Sequence, residues 1–232
     1  MAKLRLRLIV AVLVIVHMVA LGASLLAPYD ATTQHRDFAF APPSRTFLLG
    51  TDQYGRDQFS RLLHGARISL VAAVAATALT LLIGVTLGTL AGYVNGLDGP
   101  LMRLADLATA LPWIYLLLAA RSAFPLDLAP AHALVMIVAV IGLVGWAKPA
   151  RLVRSVVRSA RSREFVVAAR SLGASHLYVL RRHVVPQTTS VLLTQAAVLV
   201  PQFILAETTL SFLGLGVGEP TPSWGGMLSA AQ

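Results

Sequence analysis

The sequence predicts an all-α integral membrane protein, a polytopic helical bundle of about five transmembrane helices with a basic loop on the cytoplasmic side. Three observations carry that expectation. The 232 residues are 56% hydrophobic and 12% charged, with mean hydropathy +0.73, about half the charged fraction usual in a soluble domain. Apolar runs recur along the chain at lengths near the ~20 residues that cross a bilayer. Between two of these runs stands a basic block, Lys148, Arg151, Arg154, Arg158, Arg161, Arg163, Arg170, Arg181 and Arg182, with Glu164 as its one acid.

The first apolar run, Leu8 to Ala27, follows Lys3, Arg5 and Arg7. It is longer than the ~7–15-residue core of a signal peptide and further runs follow, so it predicts an uncleaved first helix. Residues 28–68 are mixed and rich in Pro, Asp and Arg, with Gly50-Thr51-Asp52-Gln53-Tyr54-Gly55-Arg56-Asp57 as their polar centre. Glycines and aspartates in that pattern suit tight turns and caps. Residues 1–68 therefore read as one helix with an external loop, and 69–232 as the core domain. The second span runs from about Ser69 to Tyr93. Its Ala72, Ala76, Thr80, Gly84, Gly88 and Gly92 recur every four residues, which on a helix makes a small-residue stripe that another backbone can approach. Gly84, Gly88 and Gly92 are its expected packing positions. Further spans are expected over about Leu104 to Phe124, with Pro112 inside, Ala131 to Trp146, and Ser190 to Leu213.

Orientation follows by counting. With the N-terminus in the cytoplasm, four spans return the chain there at Lys148, where the basic block begins, in agreement with the positive-inside rule. The external loop carries Arg36, Arg45, Arg56, Arg61 and Arg67, but the later block is denser. The net charge of +9 thus reads as topology and attraction to lipid headgroups, with no nucleic acid as partner. Residues 214–232 follow the fifth span on the outer side.

The chemistry is as informative. The chain has no cysteine, which excludes disulfides, thiolate zinc sites and cysteine nucleophiles. Its six histidines are scattered, so neither a metal nor another cofactor is expected. No Gly-x-x-x-x-Gly-Lys-[Ser/Thr] occurs, and the two lysines, Lys3 and Lys148, follow no phosphate-cradling loop. With no nucleophile elbow or paired carboxylates either, the chain is not expected to be an enzyme. Charges within the spans are few: Asp106, Arg121 and Glu207. Glu207 stands inside an apolar run ahead of Thr208, Thr209 and Ser211; it either lines a polar pathway or makes an interhelical hydrogen bond. The basic block reads as two short helices. One lies around Glu164 to Leu172 and ends at Gly173 in a left-handed cap; the other starts at the N-cap Ser175 and continues toward Pro186. Such a knob, with small Ala168 and Ala169, either fits a groove on another protein or is an ordinary cytoplasmic loop.

The segment Val167-Ala168-Ala169-Arg170-Ser171-Leu172-Gly173, with Pro186 beyond it, resembles the cytoplasmic Glu-Ala-Ala motif of ABC-transporter permease subunits. It matches at Ala168, Ala169, Gly173 and Pro186, and departs at Val167, where Glu is frequent, at His183 for Ile and at Val185 for Leu. Gly50 to Asp57, Ser60-Arg61 and Gly65-Ala66-Arg67-Ile68-Ser69-Leu70 look like the segment before the second span of dipeptide, oligopeptide and nickel permeases. Glu207, Leu210-Ser211-Phe212-Leu213-Gly214-Leu215-Gly216 and Pro222-Ser223-Trp224-Gly225 are similar to that group's outer loop. The resemblance covers nearly the whole chain and points to the second of the two permease subunit types. It implies that 164–186, with Glu164, Val167, Ala168, Ala169, Gly173 and Pro186, is a coupling-helix loop docking on one of two cytoplasmic ABC ATPase subunits. It also implies a second permease subunit and an extracytoplasmic substrate-binding protein delivering peptides, nickel or a related small solute. The location implied is the bacterial or archaeal plasma (inner) membrane. Permeases of this group usually have one more span after Trp224-Gly225. The expectation is therefore an importer subunit, or else a truncated, non-transporting remnant with a structural or assembly role.

Overall fold

The computed structural model describes residues 2–125 and 128–231. Helix α1 (Ala2–Leu21) stops at Gly22 and a single turn, α2 (Ala23–Leu26), follows. The segment 27–57 is irregular but packed: Tyr29, His35, Phe38 and Phe47 form a ring cluster with centroids 4.9–5.6 Å apart. Gly55 takes φ +73° and its missing Cβ would strike the carbonyl of His35, so this turn requires a residue without a side chain.

Helix α3 (Gln58–Tyr93) is 36 residues long and begins eleven residues ahead of the expected Ser69. Polar residues made the segment look like loop, yet they are the cap: Asp57 Oδ2 accepts the Ser60 N–H at 2.8 Å and its hydroxyl at 2.6 Å. The expected span Leu104–Phe124 is instead two helices, α4 (Asp98–Ala110) and α5 (Trp113–Ser122), bent by 90°. The cause is Pro112, whose ring pushes Leu111 into an extended conformation, φ −90° and ψ 143°. Helix α6 (Pro130–Gly145) fits the expected fourth span, and bends by 48° into α7 (Ala147–Arg161). The basic block therefore opens on a 15-residue helix, not on the first of two short ones.

Helix α8 (Glu164–Ser171) follows, then α9 (His176–Val179). The chain does not end a helix near Pro186. It passes through a π-helical turn, Leu180–Val184, and a 3-10 turn, Val185–Thr188, into α10 (Thr189–Phe212). Pro186 cannot donate to an α-type hydrogen bond; the wider turn before it, closed by the Val185 N–H to the Leu180 carbonyl, keeps the rod continuous. Helix α11 (Trp224–Ala230) is capped by Ser223, whose hydroxyl accepts the Gly226 N–H at 3.1 Å.

Among the described residues, two helices are long and apolar enough to cross a membrane, Gln58–Tyr93 and His176–Phe212, and up to four if each bent pair is one span; Ala11–Leu21 is a shorter apolar helix. Among the described residues the one β feature is an isolated bridge, Thr51 to Asp57. The expected fold class, an all-α polytopic membrane bundle, is the one observed; the span boundaries are revised as above.

The chain groups into two compact units. One comprises Met1–Ala72, Pro125–Ile137 and Ile204–Gln232, the other Ala73–Phe124 and Val138–Phe203. The second unit's core is built on α7, which buries Ala147, Ala150, Val153, Val157 and Ala160 and shares a cluster with Val166, Val179 and Val184. Its other faces carry arginines: Arg154 Nη2 lies 2.6 Å and Arg158 Nη1 3.0 Å from Asp98 Oδ2, and Arg151 pairs with Asp106. Exposed pairs of this kind contribute about 0–1 kcal/mol each, whereas each buried valine contributes about 1.5–3 kcal/mol. The apolar face holds α7 in place; the arginines set its register on α4.

Candidate functional site

The stripe Gly84, Gly88 and Gly92 faces α7. A Cβ at Gly84 would stand 2.8 Å from Cβ of Pro149, at Gly88 2.8 Å from Cβ of Val153, and at Gly92 2.8 Å from Cβ of Val157. The three glycines thus admit one side of α7 along three turns.

At the foot of this pair lies the loop 164–186. Glu164 stands in the first turn of α8 and Arg170 in the last, each at the end of the helix dipole that favours its charge. Gly173 has φ +84°. Its N–H donates to the Arg170 carbonyl at 3.0 Å and that of Ala174 to the Ala169 carbonyl at 3.1 Å, the paired bonds of a Schellman cap. Ser175 then accepts the Tyr178 N–H at 3.3 Å to start α9. The anchors point inward: Val166, Val179 and Val184 are buried, with Ala169 and Ala174 packed on them. Glu164, Val167, Ala168, Gly173 and Pro186 face outward, and beside them Leu172 is 88% exposed. The residues singled out in the sequence thus share one protruding knob, with Ala169 as its inner contact. Tyr93, at the end of α3, touches this loop through its hydroxyl, 3.2 Å from His176 Nδ1.

Glu207 is fully buried. Oε2 accepts the Ser69 hydroxyl and Oε1 the Ser211 hydroxyl, both at 2.6 Å. The bond to Ser69 joins α10 to α3, and Ser69 also accepts the Trp224 backbone N–H at 3.3 Å. Asp106 is partnered with Arg151, and Arg121 is buried with Nη1 directed at the Phe124 carbonyl. Among the described residues no group of three or more His, Asp or Glu side chains is placed to hold a metal ion.

Sequence reasoning missed a buried charge network in the other unit. Arg56 Nε lies 2.6 Å from Asp52 Oδ2 and Arg61 Nη2 lies 2.9 Å from Glu219 Oε1, and Arg56 also pairs with Glu219. Burial opposes the charge on Asp52, but the N–H groups of Arg56 and Tyr54 and the Arg56 guanidinium outweigh it and hold the carboxyl below the usual carboxylate range. Nothing local in the sequence joins Arg56 to Glu219.

The comparisons with known proteins place this all-α bundle among membrane transport components. The chain belongs to the family of binding-protein-dependent transport system inner membrane components, which matches residues 84–232. It is 41% identical to the di/tripeptide transport system permease protein DppC of Pseudomonas aeruginosa, over 92% of this chain and 71% of that one. It is 38% identical to the oligopeptide transport system permease protein OppC of Bacillus subtilis, over 94% and 70%. With the nickel transport system permease protein NikC of Escherichia coli K12 the identity is 35%, over 97% and 80%.

Proposed function

We propose that the chain is one of two permease subunits of a binding-protein-dependent importer that moves peptides or a related small solute, nickel included, across the plasma membrane. Residues 69–232 form the permease core, the N-terminus is cytoplasmic, and an extracytoplasmic binding protein supplies solute. ATP is hydrolysed by two separate ABC ATPase subunits, so this chain's part is conformational.

The observation that carries the reading is the knob at 164–186, rigidly capped at Gly173 and anchored by Val166, Val179 and Val184 while its outer face stays open. Closure of the ATPases would push on this knob, and the continuous rod from His176 to Phe212 would carry the push along its axis. The exposed apolar faces, including Val12, Ile15 and Met18 of α1, suit contact with lipid.

Reconstitution with the ATPases, the second permease and the binding protein tests the reading directly. Labelled di- and tripeptides or nickel should accumulate on addition of ATP. Single cysteines at Ser162 and Ser175 should label from the cytoplasmic side and one at Thr33, which is exposed, from the other. Labelling of Ser175 from the outer face would overturn the orientation.

A further inference from the structure

The arginine network has a feature that helix packing does not require. Arg56 and Arg61 have side chains 5% and 2% exposed, and both reach one carboxylate, that of Glu219, which is 52% exposed. Asp52, 10% exposed, accepts from Arg56 and lies 3.8 Å from Arg61 Nε. Asp57 is engaged elsewhere, in capping α3. Two buried cations therefore have one fixed anion and one that is half in water.

A cavity of about 270 Å³ opens against Arg61, lined also by Gln53, Tyr54, Ser211 and Glu219. A second, of about 370 Å³, lies on the Asp52 and Arg56 side. The half-exposed Glu219 side chain borders water, so its carboxylate can leave the guanidiniums for solvent.

We propose that Arg56 and Arg61 form a binding site for the carboxylate of a small solute, and that Glu219 is a built-in carboxylate that fills the site when solute is absent. With Glu219 gone, two buried guanidiniums would share Asp52 alone, and the uncompensated buried positive charge is unfavourable, so the site favours occupancy by an anion. Exchange of one carboxylate for another avoids that cost, and the departing Glu219 returns to water. The charges agree: without Glu219 the set Arg56, Arg61 and Asp52 carries +1, which one carboxylate neutralises in the forked geometry that guanidinium favours. The inference rests on the importer reading and deepens it by naming the group recognised.

The test uses the complete importer in lipid nanodiscs without its binding protein, with the dipeptide Ala-Ala and its C-terminal amide as probes. An internal competitor lowers apparent affinity by the fraction of time the site is open, so Glu219→Gln should tighten Ala-Ala binding by about tenfold or more and leave the amide unchanged. Equal effects on both probes, or on neither, would overturn the proposal. A second measurement keeps Glu219 in place: a Thr221→Cys variant, at the cavity wall, should label faster with Ala-Ala present than with the amide, and equal rates would likewise overturn it. Uptake by the wild-type importer with its binding protein, run alongside, tests the importer reading separately.

Discussion

Gly88→Ala is the smallest change that tests the packing of α3 on α7. The new Cβ would lie 2.8 Å from Val153 Cβ and 3.0 Å from its Cγ1, and closer still to the Ala150 carbonyl oxygen. Ordinary contact begins at 3.4 Å, so from 2.8 Å the neighbour must move by about 0.6 Å at the least. Val153 is fully buried within the α7 cluster. Overpacking of this kind costs about 1–3 kcal/mol, offset by the roughly 0.5–1 kcal/mol that alanine gains over glycine in a helix. Gly99 in α4 supplies the control, because a Cβ there meets nothing within 4 Å. Gly99→Ala should stay within about 0.5 kcal/mol of wild type, the helix gain being offset by the restriction Pro100 places on the residue before it, so Gly88→Ala should be the less stable of the two. Thermal unfolding of the purified protein in detergent reads the difference, at about 2–4 °C per kcal/mol for a chain of this length. Equal midpoints for the two variants would refute the close approach of α7 to Gly88.

Three further outcomes are expected. Gly173→Leu should leave insertion and assembly intact but lower solute-stimulated ATP hydrolysis by the complex. A Cβ there meets nothing within 4 Å, so the loss is the roughly 1–2 kcal/mol of a left-handed backbone, and unchanged hydrolysis would argue that the cap does not orient the knob. Because the Asp52 carboxyl is held low, it contributes stability that is complete above the unfolded value of about 3.9 and is lost as pH falls through the folded one. Asp52→Asn should therefore be less stable at neutral pH and lose less on acidification below pH 4, as followed by tryptophan fluorescence; an unchanged acid limb would count against the network. Glu207→Ala should destabilise by about 1–3 kcal/mol, since it strips the acceptor from two buried hydroxyls, and a stability equal to wild type would show that water replaces it.

Much of this architecture was legible because helices impose a period. The four-residue recurrence of Gly84, Gly88 and Gly92 identified a contact face, and a glycine after an Ala-rich helix identified the cap. The misreadings have physical causes too. The start of α3 was hidden because Ser60 and Arg61 looked solvated, whereas both are buried with partners. The break at Leu111 was written in Pro112, through the restriction a proline places on the residue before it. In α7 the density of arginine masked the apolar series Ala150, Val153, Val157 and Ala160, which follows helical spacing and marks an amphipathic helix. The Arg56–Glu219 pair, 163 residues apart, leaves no trace in any local pattern.

The π turn at Leu180–Val184 works as a phase offset. Val179 and Val184 are both buried although they stand five residues apart, a spacing that would place them on different sides of an ordinary α-helix. Winding residues 180–184 as ordinary α-helix, with none removed, would rotate everything before the turn by about 100° about the rod axis. The knob would then offer its partner a different flank while α10 stayed where it is. Cross-linking from Ser175 to the ATPase subunit proposed to dock there would register that rotation as a change of neighbour.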